Sequence, residues 1–243
     1  MRGRTDKALK ILAVDTSGPT AAVAVTDDGR LLGEYTVNHK KTHSQKLMPM
    51  MDELMRNLEL KPNDIDVFAA SIGPGSFTGL RIGTVAIKAL AYALKKPVVG
   101  VPTLEALAYN ACVEEALACP VINARNNQVY TSLYQREKGA MVNIVEHMGI
   151  HVAELAKLIK DKNRKVVFVG DAVEVHRKYF EEELRGICSF VPESLLLQKA
   201  SSVAQAALFR VLNGGTESCF DLVPFYLRKS QAEREYGRKA GKA

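Results

Sequence analysis

Residues 73–83, GPGSFTGLRIG, join a short apolar segment to a long apolar one through a turn rich in glycine. Gly73 and Gly75 can adopt backbone angles closed to other residues, and Ser76 or Thr78 can cap a helix by accepting an orphan N–H bond. The pattern therefore predicts a strand, a tight turn and a helix. The N-terminus of such a helix is a ready site for an anion.

Arg81 lies in the first turn of this predicted helix, where the helix dipole disfavours a positive charge. A negative partner such as phosphate or carboxylate is therefore expected nearby. A second interpretation needs no ligand, because the turn can simply be well capped while Gly79 and Gly83 let the helix pack closely. A single glycine turn does not decide between the two interpretations.

The segment before the turn predicts a carboxylate at the end of a buried strand. Strands are predicted over 11–15, 21–25 and 31–37, the last two joined by the hairpin turn Asp27-Asp28-Gly29. Asp15 ends the first strand. This order resembles the start of an actin-like, sugar-kinase-like ATPase lobe. Candidate residues for a vestigial nucleotide or anion site are Asp15, Thr16, Ser17, Gly73, Gly75, Ser76, Thr78 and Arg81.

Within that superfamily the chain resembles one family closely. The motifs that carry the resemblance are ILAVDTSGPTAAVAV, HSQKLMPMMDELM, SIGPGSFTGLRIGTVAIKALAYAL and VVGVPTLEALAYNA, which cover nearly all of residues 10–111. Beyond residue 120 the resemblance thins to INARNNQVYTSLY, FVGDA and FYLRKS. Their joint order is similar to that of the bacterial TsaB (YeaZ) family of tRNA threonylcarbamoyladenosine biosynthesis proteins.

The resemblance implies an α/β fold of two actin-like lobes of the ASKHA, ribonuclease H-like type, each a mixed β-sheet with flanking helices. Residues 1–110 are expected to form the N-terminal lobe with partner-binding helices, and 111–215 the second, smaller lobe. Residues 216–243 are expected to return toward the first lobe and to finish in a basic, disordered end.

Residue patterns beyond 119 predict the elements of the second lobe. These are strands over 120–123 and 129–134 around the turn 125–127, a surface loop over 135–143, helices over 152–159, 175–184 and 201–212, and a strand over 166–170. Asn213-Gly214-Gly215 predicts a helix C-cap in preference to an adenosine-binding loop. No internal repeat is visible in the sequence.

The function implied by the resemblance is that of a noncatalytic subunit. Members of the family pair with the threonylcarbamoyl transferase TsaD, and the ATPase TsaE joins the complex. The product is N6-threonylcarbamoyladenosine in tRNAs that read codons starting with A. The expectation for this chain is therefore no cofactor of its own, ATP or ADP at the interface of the complex, and tRNA contact only through the complex.

No metal site is expected. TsaD carries a metal-binding His-x-x-x-His where this chain has Thr103 and Leu107, which cannot replace two imidazoles. The chain also has two histidine pairs at i, i+4 spacing, His39 with His43 and His147 with His151. Lys40 and Lys41 lie between the two histidines of the first pair, and Gly149 predicts a turn between the two histidines of the second. Neither pair has a neighbouring acidic residue that completes a metal site.

Two helices are expected to form the partner surface, and a homodimer through the same helices is the alternative state. In the first helix, a core-facing stripe needs Leu47, Met51, Leu54 and Leu58, which leaves Met48, Met50 and Met55 for a partner. The second helix carries a stripe of small residues that allows close approach. The predicted interface is Leu47, Met48, Met50, Met51, Met55, Gly79, Ile82, Gly83, Ala86 and Leu90.

Composition agrees with a cytoplasmic protein. The chain has 243 residues, 47% of them hydrophobic, and no apolar run approaches the roughly 20 residues needed to span a bilayer. The net charge of +6 is not focused on one patch and includes both ends of the chain. Two rival functions remain. One is a small-molecule kinase or nucleotide hydrolase that uses Asp15 and the turn from Gly73 to Gly79, and the other is a metallopeptidase, whose histidines are missing here.

Overall fold

The computed structural model describes residues 8–39, 43–111 and 113–227, and this part of the chain forms two five-stranded sheets with flanking helices. The strands are β1 (Lys10–Asp15), β2 (Ala21–Asp27), β3 (Arg30–Val37), β4 (Val67–Gly73), β5 (Val98–Pro102), β6 (Leu117–Asn123), β7 (Gln128–Glu137), β8 (Ala140–His151), β9 (Val166–Val169) and β10 (Cys188–Phe190). The helices are α1 (His43–Asn57), α2 (Phe77–Leu94), α3 (Thr103–Asn110), α4 (Val152–Lys162), α5 (Ala172–Glu183) and α6 (Ala200–Leu212).

Both sheets have the same topology. The first has the order β3-β2-β1-β4-β5, with β1 antiparallel to β2 and parallel to β4. The second has the order β10-β9-β6-β7-β8, with β6 antiparallel to β7 and parallel to β9. The predicted fold class, two actin-like lobes with mixed sheets, is therefore confirmed. The two lobes share the arrangement of their strands and not their residues, which explains why no repeat is visible in the sequence.

The surface loop predicted over 135–143 is wrong, because β7 and β8 form a long hairpin there. Lys138 and Gly139 make its turn, with φ of 50° and 86°. Positive φ at both central residues gives the turn whose twist matches paired strands. The segment is polar because β8 is an edge strand and many of its side chains are exposed. Met141, near the start of β8, is buried.

Helices cover both faces of the first sheet. On one face, α1 and α2 pack over Val14, Val23 and Phe68. On the other face, α6 packs over Ile11, Ala13 and Val99. Our expectation grouped α6 with the second lobe, but its Val203, Ala204 and Ala207 are buried against the first sheet. Alanines on this face let the helix backbone approach the strands closely.

Helix α3 lies between the lobes. Leu104 and Leu107 belong to the apolar core of the second lobe, whereas Ala106 packs with α6 and the first sheet. The helix therefore holds the two lobes together through apolar contacts on different sides.

Residues 217–226 form a C-terminal segment that runs along α2. Glu217 pairs with Val98, the Lys88 ammonium donates to the Leu222 carbonyl at 3.0 Å, and the Phe225 N–H donates to the Ile72 carbonyl at 2.7 Å. Tyr226 then stacks on Phe77 with ring centroids 4.6 Å apart. The basic end predicted from residue 228 onward lies outside the described residues.

Our expectation that no apolar run approaches the length of a membrane span is wrong for α2, whose 18 residues are, by length and composition alone, apolar enough to cross a membrane. Its buried residues Leu80, Ile87 and Ala91 pack inside the first lobe. These contacts bury one side of the helix, about 33% of its residues, within the fold.

Candidate functional site

Asp15 ends β1 as a buried carboxylate. Its Oδ1 accepts hydrogen bonds from the Ser17 N–H at 2.8 Å and the Ser17 hydroxyl at 2.7 Å. Its Oδ2 has no well-formed hydrogen bond within the described part of the chain. Burial raises the pKa of Asp15 from 3.8 to about 6, and the hydrogen bonds from Ser17 oppose only part of that rise. The carboxylate is therefore kept here at a cost to stability.

Gly79 and Gly83 pack against the turn that follows β1. A Cβ at Gly79 would stand 1.9 Å from the Thr16 carbonyl oxygen, and one at Gly83 would stand 2.5 Å from the Thr16 hydroxyl. That hydroxyl donates to the Gly79 carbonyl at 2.7 Å. The interface assignment of these two glycines is corrected, because they are buried in close contact with their own lobe.

Ser76, and not Thr78, caps α2, because its hydroxyl accepts from the Gly79 N–H at 3.2 Å. Its own N–H donates to the Ser17 carbonyl at 2.7 Å, which joins the glycine turn to the turn after β1. Gly75 must be glycine, since a Cβ there would lie 2.3 Å from the Ser17 carbonyl oxygen. Arg81, for which we expected an anion, donates instead to the Tyr226 hydroxyl at 3.3 Å.

These two turns form one wall of a cleft of about 480 Å³ between the lobes, and the second lobe forms the other wall. Ser17, Gly75 and Ser76 line the first wall. Asp15 and Thr16 are buried, and Thr78 and Arg81 are exposed. Gly73, with φ of 118°, is buried next to the Phe225 carbonyl.

The second wall contains Asp171, which we had not assigned to a site. Its carboxylate accepts from the Asn123 N–H at 3.0 Å, and burial raises its pKa. The Gly170-Asp171-Ala172 sequence is a signal for this position, although alanine replaces the second glycine of a phosphate turn. Arg125, which has a left-handed φ of 64°, also lines this wall. The cleft thus has the shape and polarity to hold a small polar molecule.

Replacing Asp15 with asparagine is expected to stabilise the isolated chain at neutral pH. The folded pKa of Asp15 lies above the unfolded one, so its ionisation costs nothing below about pH 3.8, begins to cost as the pH rises, and costs most above about pH 6. At about 1.36 kcal/mol per pKa unit the cost is about 3 kcal/mol. Because the amide must also be desolvated, we expect a gain of about 1–2 kcal/mol at pH 8.

Urea unfolding of both proteins at pH 8 and pH 4 measures this gain. The advantage of Asp15→Asn should disappear at pH 4, where the native carboxyl is protonated when folded. A loss of stability that is the same at both pH values would contradict the explanation by burial of a charge.

Helix α1 differs from its prediction. Met50 and Met55 are buried in the core of the first lobe together with Leu47, Met51 and Leu54. These positions are spaced i, i+3, i+4, i+7 and i+8, which is the full width of a core-facing stripe. Our narrower stripe left Met50 and Met55 free for a partner, and the predicted interface also included Leu47 and Met51. The assignment of these four buried residues to the interface is corrected. Met48 remains 49% exposed.

Helix α2 has an outer apolar face that the sequence analysis missed. Val85 and Tyr92 are 63% and 66% exposed. Their spacing of seven residues was a signal for one helix face, and a helix that is apolar all round usually has a second partner. Together with Met48 and the half-buried Ile82, Ala86 and Leu90, they form what we call the α1–α2 surface. An apolar cavity of about 310 Å³, lined by Met48, Met51 and Leu90, lies between the two helices.

The histidines do not form metal pairs. His43 Nε2 lies 3.0 Å from the Gly18 carbonyl, whereas His147 Nε2 lies 2.5 Å from the Tyr134 hydroxyl and His151 caps α4. Gly149 lies within β8, so the predicted turn between the second pair is wrong. Among the described residues no group of three or more His, Cys, Asp or Glu could hold a metal ion.

Sequence comparison finds relatives whose descriptions all concern the threonylcarbamoyl modification of adenosine in tRNA. A model of the family described as tRNA N6-adenosine threonylcarbamoyltransferase, TsaD, matches residues 30–236. The chain is 33% identical over 231 residues to tRNA threonylcarbamoyladenosine biosynthesis protein TsaB of Bacillus subtilis, covering 94% of this chain and 98% of the relative. It is 31% identical over 233 residues to the TsaB protein of Haemophilus influenzae, covering 90% and 94%.

Comparison with solved structures finds similar folds. YeaZ from Pseudomonas aeruginosa superimposes with a TM-score of 0.76 at 26% identity, covering 90% of this chain and all of that one. A second structure from the same organism, described as an uncharacterized protein with similarity to peptidase YEAZ, gives 0.77 at 26% identity with the same coverage. The ethanolamine utilization protein EutJ from Carboxydothermus hydrogenoformans, with a TM-score of 0.51 at 12% identity, shares the fold alone.

Proposed function

The chain belongs to the TsaB family of tRNA threonylcarbamoyladenosine biosynthesis proteins, and from this premise we propose that it is a noncatalytic scaffold and activating subunit. It pairs with the transferase TsaD, and the ATPase TsaE joins the pair. The complex makes N6-threonylcarbamoyladenosine in tRNAs that read codons starting with A. The chain binds and activates TsaD, and TsaD carries out the transfer reaction.

The observation that carries the noncatalytic assignment is the start of α3. The Thr103 hydroxyl lies 2.7 Å from the Ser71 hydroxyl, and Leu107 is buried in the core of the second lobe. These are the positions at which the catalytic relative has its metal-binding histidines. A hydroxyl engaged in a neutral hydrogen bond and an aliphatic side chain cannot hold a transition metal.

The α1–α2 surface supports the pairing. Val85, Tyr92 and Met48 are large side chains that are 63%, 66% and 49% exposed in the isolated chain, and the edge contact of Tyr92 with Phe220 leaves most of that ring open. Fully burying one such side chain contributes about 1.5–3 kcal/mol. Tyrosine is also enriched among the residues that dominate the binding energy of interfaces. A homodimer would use the same surface and would compete with TsaD for it.

Under this proposal the chain has no cofactor of its own, and ATP or ADP binds at the interface of the complex. Contact with tRNA also occurs through the complex. The described basic side chains are largely spread over the surface, and Arg177 and Lys160 are paired with acidic residues. Isolated surface charges of this kind give weak, salt-dependent attraction to RNA and no sequence recognition.

Reconstitution tests the assignment. The purified chain, incubated with unmodified tRNA, ATP and threonylcarbamoyl-adenylate, should form no modified adenosine and contain no stoichiometric metal. Adding TsaD and TsaE should start the reaction, and omitting this chain should stop it. Mass analysis of the digested tRNA measures the product. Modification of tRNA by the isolated chain would overturn the noncatalytic assignment.

A kinase or nucleotide hydrolase is the second candidate, favoured by the cleft with a buried Asp15 behind one wall and Asp171 in the other. Steady-state ATP turnover by the isolated chain, lost in Asp15→Asn, would support it. Turnover that appears only with TsaD and TsaE supports the scaffold. In that case Asp15→Asn should reduce the activity of the complex only modestly, because the carboxylate organises a turn and holds no metal nucleotide.

A further inference from the structure

The C-terminal segment is fixed along one flank of α2 by hydrogen bonds and a ring contact. The Lys88 ammonium donates to the carbonyls of Phe220 and Leu222 at 3.4 and 3.0 Å. The rings of Phe220 and Tyr92 meet edge to face with their centroids 5.7 Å apart. Leu222 is buried in the core of the first lobe. The segment is therefore a structural part of the surface that α2 presents.

Two large apolar side chains of the segment are left in water. Phe220 is 71% exposed and Val223 is 63% exposed, whereas Leu222 between them is buried. Leu222 thus anchors the segment to its own lobe, and Phe220 and Val223 are available to a partner.

Helix α2 lies between α1 and the C-terminal segment. Successive residues of an α-helix are about 100° apart, so Tyr92 points within about 20° of Val85. Lys88, which contacts the segment, points about 60° to one side of Val85, and Leu90 points about 140° to the other side. Leu90 and Met48 of α1 line the same apolar cavity. Val85 and Tyr92, which we call the α2 ridge, therefore have α1 on one flank and the segment on the other.

The segment also holds two cationic side chains beside the α2 ridge. Lys88 lies one helical turn from both Val85 and Tyr92, and two carbonyls of the segment accept from its ammonium. Arg81 lies one turn before Val85 and donates to the Tyr226 hydroxyl at 3.3 Å. Both charged groups are thus directed toward the segment, which leaves the ridge itself apolar.

We propose that the C-terminal segment is the third element of the TsaD-binding surface, so that one apolar face of TsaD covers α1, the α2 ridge, Phe220 and Val223. This inference rests on the proposed pairing of the chain with TsaD. The contact between Phe220 and Tyr92 makes the exposed apolar patch continuous from the ridge to the segment. A partner that buries the Tyr92 ring therefore also meets Phe220.

The size of the surface supports a third element. Helices α1 and α2 have 15 and 18 residues, so side by side they cover a strip of about 500 Å² in projection. Each partner buries about 800 Å² of accessible surface in an interface of standard size. The C-terminal segment widens the strip toward that size.

Calorimetric titration of Val223→Asp with TsaD tests the proposal. We expect its affinity to fall at least about tenfold, because the carboxylate would lose its water against an apolar partner. Phe220→Asp should behave in the same way. Val175→Asp is the matched control, since it adds the same charge at a valine that is 61% exposed on α5 in the second lobe, and its affinity should be unchanged. Thermal unfolding shows whether each variant is folded.

The outcomes separate this inference from the proposed function. Loss of binding in Val85→Asp with wild-type affinity in both Val223→Asp and Phe220→Asp would remove the third element and leave the pairing with TsaD intact. Unchanged binding in Val85→Asp and Met48→Asp as well would refute the α1–α2 surface itself. If the segment variants changed only the self-association of the chain, measured by sedimentation, the segment would bind a second copy and its assignment to TsaD would be wrong.

Photo-crosslinking gives a positive test of the same contact. A benzophenone amino acid in place of Val223 should link the chain to TsaD on irradiation, and the same probe in place of Val175 should not. Absence of crosslinks to TsaD from both Phe220 and Val223 positions would contradict the proposal.

Discussion

Replacing Val85 with aspartate is expected to abolish pairing with TsaD and to leave the isolated chain as stable as before. Val85 is 63% exposed in the middle of the α1–α2 surface, so a carboxylate there remains in water until a partner covers it. Burying it unpaired costs at least about 3 kcal/mol, which weakens binding at least about 100-fold. Calorimetric titration with TsaD and thermal unfolding of the chain alone measure the two quantities.

Val175→Asp is the matched control, because Val175 is 61% exposed on α5 in the second lobe. It should bind TsaD normally. Met48→Asp should resemble Val85→Asp, whereas Met55→Asp should destabilise the chain itself because Met55 is buried. Unchanged TsaD binding by both Val85→Asp and Met48→Asp would show that the pairing uses another face.

Gly79→Ala is expected to destabilise the fold by about 4 kcal/mol, or to prevent folding. Helix propensity alone predicts the opposite, a gain of about 1 kcal/mol on replacing a glycine inside a helix with alanine. The methyl group, however, would stand 1.9 Å from the Thr16 carbonyl oxygen, and a backbone atom cannot rotate away as a side chain can. Overpacking of this kind typically costs about 1–3 kcal/mol and sometimes more.

The exposed position Ala93 on the same helix supplies the control. Ala93→Gly should lose about 1 kcal/mol through propensity alone. Chemical unfolding of both variants gives the comparison. If Gly79→Ala proved more stable than the native chain, the close packing of α2 on the turn after β1 would be refuted.

Much of the fold could be predicted because local signals agreed with one another. The glycine turn, the polar end of β1 and the alternation of apolar segments identified the first lobe, and the structure confirms its strands and its capped helix. The sequence left two interpretations of the glycine turn open, an anion site and a turn that serves helix packing, and the structure distinguishes them in part. Gly79 and Gly83 are needed for packing, while Ser17, Gly75 and Ser76 also line the cleft.

The remaining features depend on contacts that are distant in sequence. Met50 and Met55 are buried because α1 packs closely on the first sheet. The helical period of the sequence does not show how close that packing is. The Lys138-Gly139 turn lacks the usual Asn-Gly or Asp-Gly signal, so the end of β7 and the start of β8 were predicted as a loop. The Glu105–Arg210 pair joins residues far apart in sequence, and no local motif marks it.

The position of α6 has a consequence for how this protein is made. The ribosome completes the first sheet when it reaches Pro102, but the helix that covers one face of that sheet begins at Ala200. At about 5–20 residues per second, the apolar face formed by Ile11, Ala13 and Val99 lacks α6 for roughly 5 to 20 seconds of synthesis, with only the short helix α3 beside it. The N-terminal lobe is thus the first to be translated and among the last to be finished, because its covering helix α6 is the last helix among the described residues.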